Sequence, residues 1–136
     1  MKVLIDTNVI LDVLCERPEF VEASAEVMRN CEAGVIEGYA SALSFPNIAY
    51  IMRKELTKEK TAQIITSLSM IFKVEDLKAD DLKRAAKSEL DDFEDALQAA
   101  CAARVKADYI VTRNKRDFVR SSIPAITPAE LIEKIY

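Results

Sequence analysis

This chain of 136 residues has no histidine. That rules out a Ser-His or Cys-His nucleophile, an H-E-x-x-H zinc helix and any imidazole base. Glycine is nearly as scarce. With only Gly34 and Gly38 present, neither a GxGxxG fingerprint nor a G-x-x-x-x-G-K-[ST] loop can be written, so nucleotide binding through a glycine loop is excluded. Two glycines and four prolines also leave little material for linkers. No repeat or low-complexity tract breaks the chain, which reads as one domain over residues 1–136. No apolar run approaches the ~20 residues of a membrane span, and no basic segment followed by an apolar one opens the chain. The expectation is a cytoplasmic protein with no membrane partner. Cys15, Cys31 and Cys101 are odd in number, widely spaced and set in apolar helical patterns. They suit reduced core thiols better than disulfides or a zinc site.

What the chain has in quantity is carboxylate, with 23 acidic against 19 basic side chains. Carboxylates without histidine point to hard, oxygen-ligated metals such as Mg²⁺ or Mn²⁺. The charges are segregated. Residues 1–50 carry eight acidic and three basic side chains, and residues 89–103 carry five acidic and none basic. Residues 51–88 and 104–120 are basic on balance, with nine against six and six against two. An acidic centre with basic flanks suits a polyanion; ordinary solvated helix faces would give the same runs.

Half of the residues are apolar, enough for a sizeable core. Val3-Leu4-Ile5 is too short for a helix and reads as a buried parallel strand. Asp6 stands at its end, followed by Thr7 and Asn8, and apolar positions at 9, 10, 11, 13 and 14 predict a helix. Further helices are expected over 20–33, from Ser41 or Ser44 through 52, over 57–71, 79–87 and the stretch LDDFEDALQAACAARVKA, and after Thr127-Pro128. Between them, 35–40, 72–74, 109–111 and 125–126 read as strands. Strands alternating with helices predict a three-layer α/β/α sandwich on a parallel sheet.

In such a sheet ligands bind beyond the carboxyl ends of the strands, which gives Asp6 a place in chemistry. Thr112, Asn114 and Asp117 follow the strand at 109–111. Asp92 and Asp95 lie one helical turn apart on one face of the later helix. Each also has a purely structural reading: Asp6, Thr7, Asn8, Asp91 or Asp92 as helix caps, Asp95 as a first-turn acid favoured by the helix dipole, and Asp117 as a turn former before Phe118.

DTNVILD, DFEDALQAACA and IVTRNKRDF, in this order and spacing, resemble the signatures of PIN-domain proteins, specifically VapC-type toxin ribonucleases of bacteria and archaea. The resemblance implies a parallel sheet of about five strands. It also implies a Mg²⁺- or Mn²⁺-dependent endoribonuclease whose acids are Asp6, Asp95 and Asp117, with Thr112 and Asn114 at matching polar positions; the residues themselves add Asp92 as a further metal-binding candidate and Asn8 and Asn47 as supporting polar groups. RNA as substrate, a protein antitoxin and a homodimer are implied as partners. Arg113, Lys115 and Arg116 stand beside the acids as candidates to grip RNA, with Arg53 and Lys54 more distant. Many such toxins carry a glutamate where this chain has Asn47. The amide adds no charge, which keeps open the alternative of a catalytically inactive RNA- or protein-binding module. An Asp-based phosphatase of the D-x-D type is disfavoured because position 8 is Asn. A phosphoacceptor receiver is disfavoured for want of a convincing Asp and Lys pair. Asp12, one and a half turns past Asp6, is expected on a helix surface or in packing.

Overall fold

The computed structural model describes residues 1–136. In chain order the elements are β1 (Lys2–Ile5), α1 (Thr7–Leu14), α2 (Val21–Glu32), β2 (Glu37–Ser41), α3 (Ser44–Arg53), α4 (Lys58–Ile71), β3 (Lys73–Glu75), α5 (Ala79–Ala86), α6 (Phe93–Arg104), β4 (Tyr109–Val111), β5 (Ala125–Ile126) and α7 (Pro128–Ile135). A 3-10 turn spans Lys115–Phe118. No helix is long and apolar enough to cross a membrane.

The five strands form one parallel sheet in the order β3-β2-β1-β4-β5. Its central strand, β1, is apolar and buried from Val3 to Ile5 because both faces are covered there. Val3 and Ile5 pack into the larger core with residues of α1, α2, α3 and α4. Leu4 faces the other way, into a smaller core with Cys101 and Ala102 of α6. The alternating pleat thus sorts one short run between two helical layers. The small residues of α6 let it lie close on the sheet.

Several ends are fixed by local chemistry. Thr57 accepts from the Lys60 N–H to cap α4, and Thr127 and Glu130 form a reciprocal capping box on α7 with Pro128 in its first turn. Gly34, just past α2, has φ +77°, the left-handed conformation that ends a helix. Gly38 is needed for space: a Cβ there would overlap Cys31 Sγ. Cys31 and Cys101 are buried free thiols as expected, whereas Cys15 is exposed. It follows the last turn of α1, where the chain leaves the core. The core face of α4 is narrow: Thr61 and Leu68 are its buried positions, and Ala62 is exposed.

The strand order places the site. From β1 the chain builds outward to β2 and β3, then crosses back to place β4 on the other side of β1. At this reversal the connections from neighbouring strands leave in opposite directions, opening a crevice beyond the carboxyl ends of β1 and β4.

Candidate functional site

Asp6 is the first residue past β1. Its main-chain N–H donates to the Val111 carbonyl at 2.9 Å, so the register of β1 on β4 carries straight into the crevice. Its side chain is 7% exposed and held at both oxygens. Oδ1 accepts from the Thr7 N–H at 2.9 Å, which caps α1, and Oδ2 accepts from the Thr112 hydroxyl at 2.9 Å. The capping and functional readings of Asp6 are therefore compatible. Thr112 Oγ1 in turn accepts from the Asn114 N–H at 3.1 Å, and the Asn114 carbonyl accepts from the Asp117 N–H at 3.0 Å. Thr112 thus aims Asp6 with its hydroxyl and shapes the turn that carries Asp117.

Asp95 enters from α6. Asp92 is that helix's N-cap, its Oδ1 accepting from the Asp95 N–H at 2.9 Å. Asp6, Asn8, Asn47, Asp95, Asn114 and Asp117 line one recess of about 90 Å³, room for a few waters. A second recess of about 290 Å³ continues from it, sharing Asp95 and Asp117 and bordered by Asp92 and Arg116. All the carboxylates predicted for the site therefore lie along one continuous depression.

Its electrostatics are unfavourable as the chain stands. Asp95 is pushed up to about 7, first by burial, then by the charges of Asp92, Asp6, Asp117 and Glu94. Asp6 is also raised by burial. The Thr112 hydroxyl and the Thr7 N–H oppose this, Asp117 adds to it, and Arg113 offsets a part. Carboxylates gathered around one space resist ionising together unless a cation joins them.

No three His, Cys, Asp or Glu side chains stand close enough together to hold an ion as they are placed. The donor set nonetheless fits a hard divalent ion. It offers carboxylate, amide and hydroxyl oxygens, no sulfur or imidazole, and an accumulated negative charge for such an ion to offset. Asp6, Asp95 and Asp117 are the groups that would hold it, with Asp92 at the margin.

The predicted basic residues separate. Arg113 Nε lies 2.9 Å from Asp12 Oδ2, and its guanidinium lies 4.3 Å from the centroid of the Phe20 ring. Lys115 is 3.0 Å from Glu130. Arg116 is exposed beside Asp117. Asn47 is exposed at the start of α3, on the edge of the recess. Asp12 is a packing residue, wholly buried between Arg17 and Arg113.

Three polar lining residues were not singled out in the sequence as part of this wall: Thr7, Glu94 and Gln98. Thr7 Oγ1 lies 2.6 Å from Ser44 Oγ, and Gln98 Nε2 donates to both hydroxyls at 3.3 and 3.1 Å. This group ties the first turns of α1 and α3 to α6. The available signal was Gln98 itself, a polar residue three positions past Asp95 in an alanine-rich helix.

The sequence profile of the PIN domain matches residues 2–116. No curated protein sequence matches the chain. Similar solved structures include a toxin-antitoxin complex from Klebsiella pneumoniae at 22% identity, covering 93% of this chain and 97% of that one with a TM-score of 0.70. VapBC2 from Rickettsia felis, bound to a DNA fragment from its promoter, has 18% identity, coverage of 93% and 98%, and a TM-score of 0.70. FitAcB from Neisseria gonorrhoeae has 19% identity, coverage of 93% and 98%, and a TM-score of 0.69. At these identities the likeness is one of fold.

Proposed function

The chain belongs to the PIN domain family, and on that footing we propose that it is a metal-dependent endoribonuclease, the toxin of a toxin-antitoxin pair. The observation that carries this reading is the meeting of Asp6, Asp95 and Asp117 at the reversal point of the sheet, with Asp95 raised to about 7. Such a cluster costs the fold stability and contributes to no core. It is the expected arrangement where a divalent ion and a phosphodiester are to be held.

In the proposed reaction Asp6, Asp95 and Asp117 bind Mg²⁺ or Mn²⁺. When bound, such an ion supplies an acidified water and positive charge for the phosphate in the transition state. The residues of the chain do the rest. Thr112 and the Thr7 N–H fix both oxygens of Asp6, so the ligand does not have to be ordered on binding. The side-chain amides of Asn8, Asn47 and Asn114 provide neutral donors around the recess for phosphate or sugar oxygens. Arg116 holds the RNA backbone beside Asp117, while Arg113 and Lys115 are engaged elsewhere. The toxin-antitoxin complexes among the similar folds support a protein antitoxin as partner. A homodimer and a cytoplasmic location complete the proposal.

Asn47 favours a second reading, an inactive module that binds RNA or protein, because the recess edge has an amide where the resemblance leads one to expect glutamate. Cleavage of a mixed RNA panel by the partner-free protein with Mg²⁺, Mn²⁺ or EDTA, beside Asp6→Asn, separates the two. The nuclease reading predicts cutting that EDTA and the substitution both abolish. Binding without turnover under every metal would favour the module.

A further inference from the structure

Asp12 has no exposed surface, yet it lies outside the recess. Six residues beyond Asp6 on α1, it accepts from Arg17 Nη1 at 3.1 Å through Oδ1. Oδ2 lies 2.9 Å from Arg113 Nε, an ionic contact at an angle too poor for a hydrogen bond. A buried carboxylate needs compensation, and Arg17, from the turn that follows α1, provides part of it locally. The second cation comes from the far end of the chain, and where it comes from matters. Arg113 stands between Thr112, whose hydroxyl holds Asp6 Oδ2, and Asn114, whose N–H is held by Thr112 Oγ1. Its guanidinium packs over Phe20, which lies just before α2. Helix α1 and the turn 112–117 are thus joined twice, inside the crevice by Asp6 and Thr112 and on its flank by Asp12 and Arg113.

We infer that Asp12 and Arg113 are a positioning pair: their buried contact fixes the turn 112–117 against α1, keeping the Thr112 hydroxyl on Asp6 and holding Asn114 and Asp117 across the recess from it. Arg113 then acts through the turn and does not grip RNA. This rests on the nuclease reading for its kinetic consequences, while its structural core can be tested without it.

The comparison that tests it is Arg113→Met, Arg113→Lys and Asp12→Asn against Arg17→Met. Arg17→Met also removes a cation from Asp12 but leaves the turn untouched. With RNA and Mn²⁺, Arg113→Met and Asp12→Asn are expected to lower kcat about 10- to 100-fold with KM within about 3-fold. Arg113→Lys should recover part of the loss, and Arg17→Met should keep kcat within about 3-fold. A raised KM with kcat retained in Arg113→Met would make Arg113 an RNA-binding residue and overturn the inference. An equal fall of kcat in Arg17→Met would reduce the effect to general stability and overturn it too. Amide hydrogen exchange provides a readout independent of cleavage. The Asn114 and Asp117 N–H groups should exchange about 10-fold faster in Arg113→Met and at the wild-type rate in Arg17→Met. Unchanged protection in Arg113→Met would overturn the inference whether or not the protein cuts RNA. Faster exchange in a protein that never cuts RNA would support the pair and count against the nuclease reading alone.

Discussion

Helix α6 carries an acidic cluster at each end, and the two are resolved in opposite ways. At its C-terminal end Arg104 donates to both oxygens of Asp81 at 3.1 and 3.0 Å, to Glu75 at 2.5 Å and to the Asp76 carbonyl at 2.8 Å. Asp81 also accepts from the Lys78 N–H, capping α5. Burial pushes Asp81 up, but the hydrogen bonds from Arg104 and Lys78 outweigh it, and its carboxyl lies below the ordinary range. At the N-terminal end Asp95 faces Asp92, Asp6 and Asp117, no cation pairs with it, and Arg113 offsets only a part of the rise at Asp6. Where carboxylates serve the fold, the chain provides their counter-charge. Where it provides too little, the proposed divalent ion would supply the rest, and the repulsion within the cluster is the cost of keeping such a site.

The largest expected effect is on chemistry at the uncompensated end. Asp95→Asn should lower RNA cleavage by on the order of 10³-fold or more, comparable to losing a group that stabilises transition-state charge, with the circular dichroism spectrum unchanged. Next comes stability at the compensated end. Asp81→Asn removes the carboxylate that Arg104 holds twice and should cost about 2–4 kcal/mol in urea unfolding, somewhat less than a fully buried pair because Arg104 is 20% exposed. Its cleavage per folded molecule should stay that of wild type.

Asp95→Asn should move stability the other way. Without metal it should gain on the order of 1 kcal/mol near pH 8, discounted for solvent screening, seen as a melting point a few degrees higher. The pH dependence follows with sign. Because the folded-state value of Asp95 lies above its ordinary 3.8, ionising it costs stability. The metal-free protein should therefore become more stable as pH falls from about 7 toward 4, and Asp95→Asn should flatten that slope. For Asp81, whose folded-state value lies below 3.8, the contribution is present above that pH and lost below it. Smallest is the effect of Arg116, the exposed cation beside the recess. Arg116→Ala should raise KM a few-fold and reduce the salt dependence of RNA binding by about one counter-ion.

The asymmetry also explains what could be read without coordinates. Val3-Leu4-Ile5 and Tyr109-Ile110-Val111 announce themselves as buried strands because both faces of a parallel sheet are apolar, and each is followed at once by its polar residues. Thr57, Thr127 and Asp92 cap their helices through local hydrogen bonds, which sequence displays directly. The Arg104 cluster was not legible. Asp81 falls in the first turn of the helix expected over 79–87, and nothing local says that an arginine 23 residues later will neutralise it. For the same reason Asp12 showed no sign of being wholly buried, and Arg113 read as a free cation beside the site. Periodicity reports which face is apolar, whereas pairing of buried charges is a property of the tertiary arrangement.

The measurement closest to the central claim is calorimetric titration of the metal-free protein with Mn²⁺ at pH 7, in two buffers of different ionisation enthalpy, beside Asp95→Asn. A cluster built for a cation should bind Mn²⁺ and release a fraction of a proton, since burial and the neighbouring carboxylates push Asp95 up to about 7. Asp95→Asn should bind much more weakly and release fewer protons. Mn²⁺ binding of equal strength in both proteins, or none in either, would contradict the account.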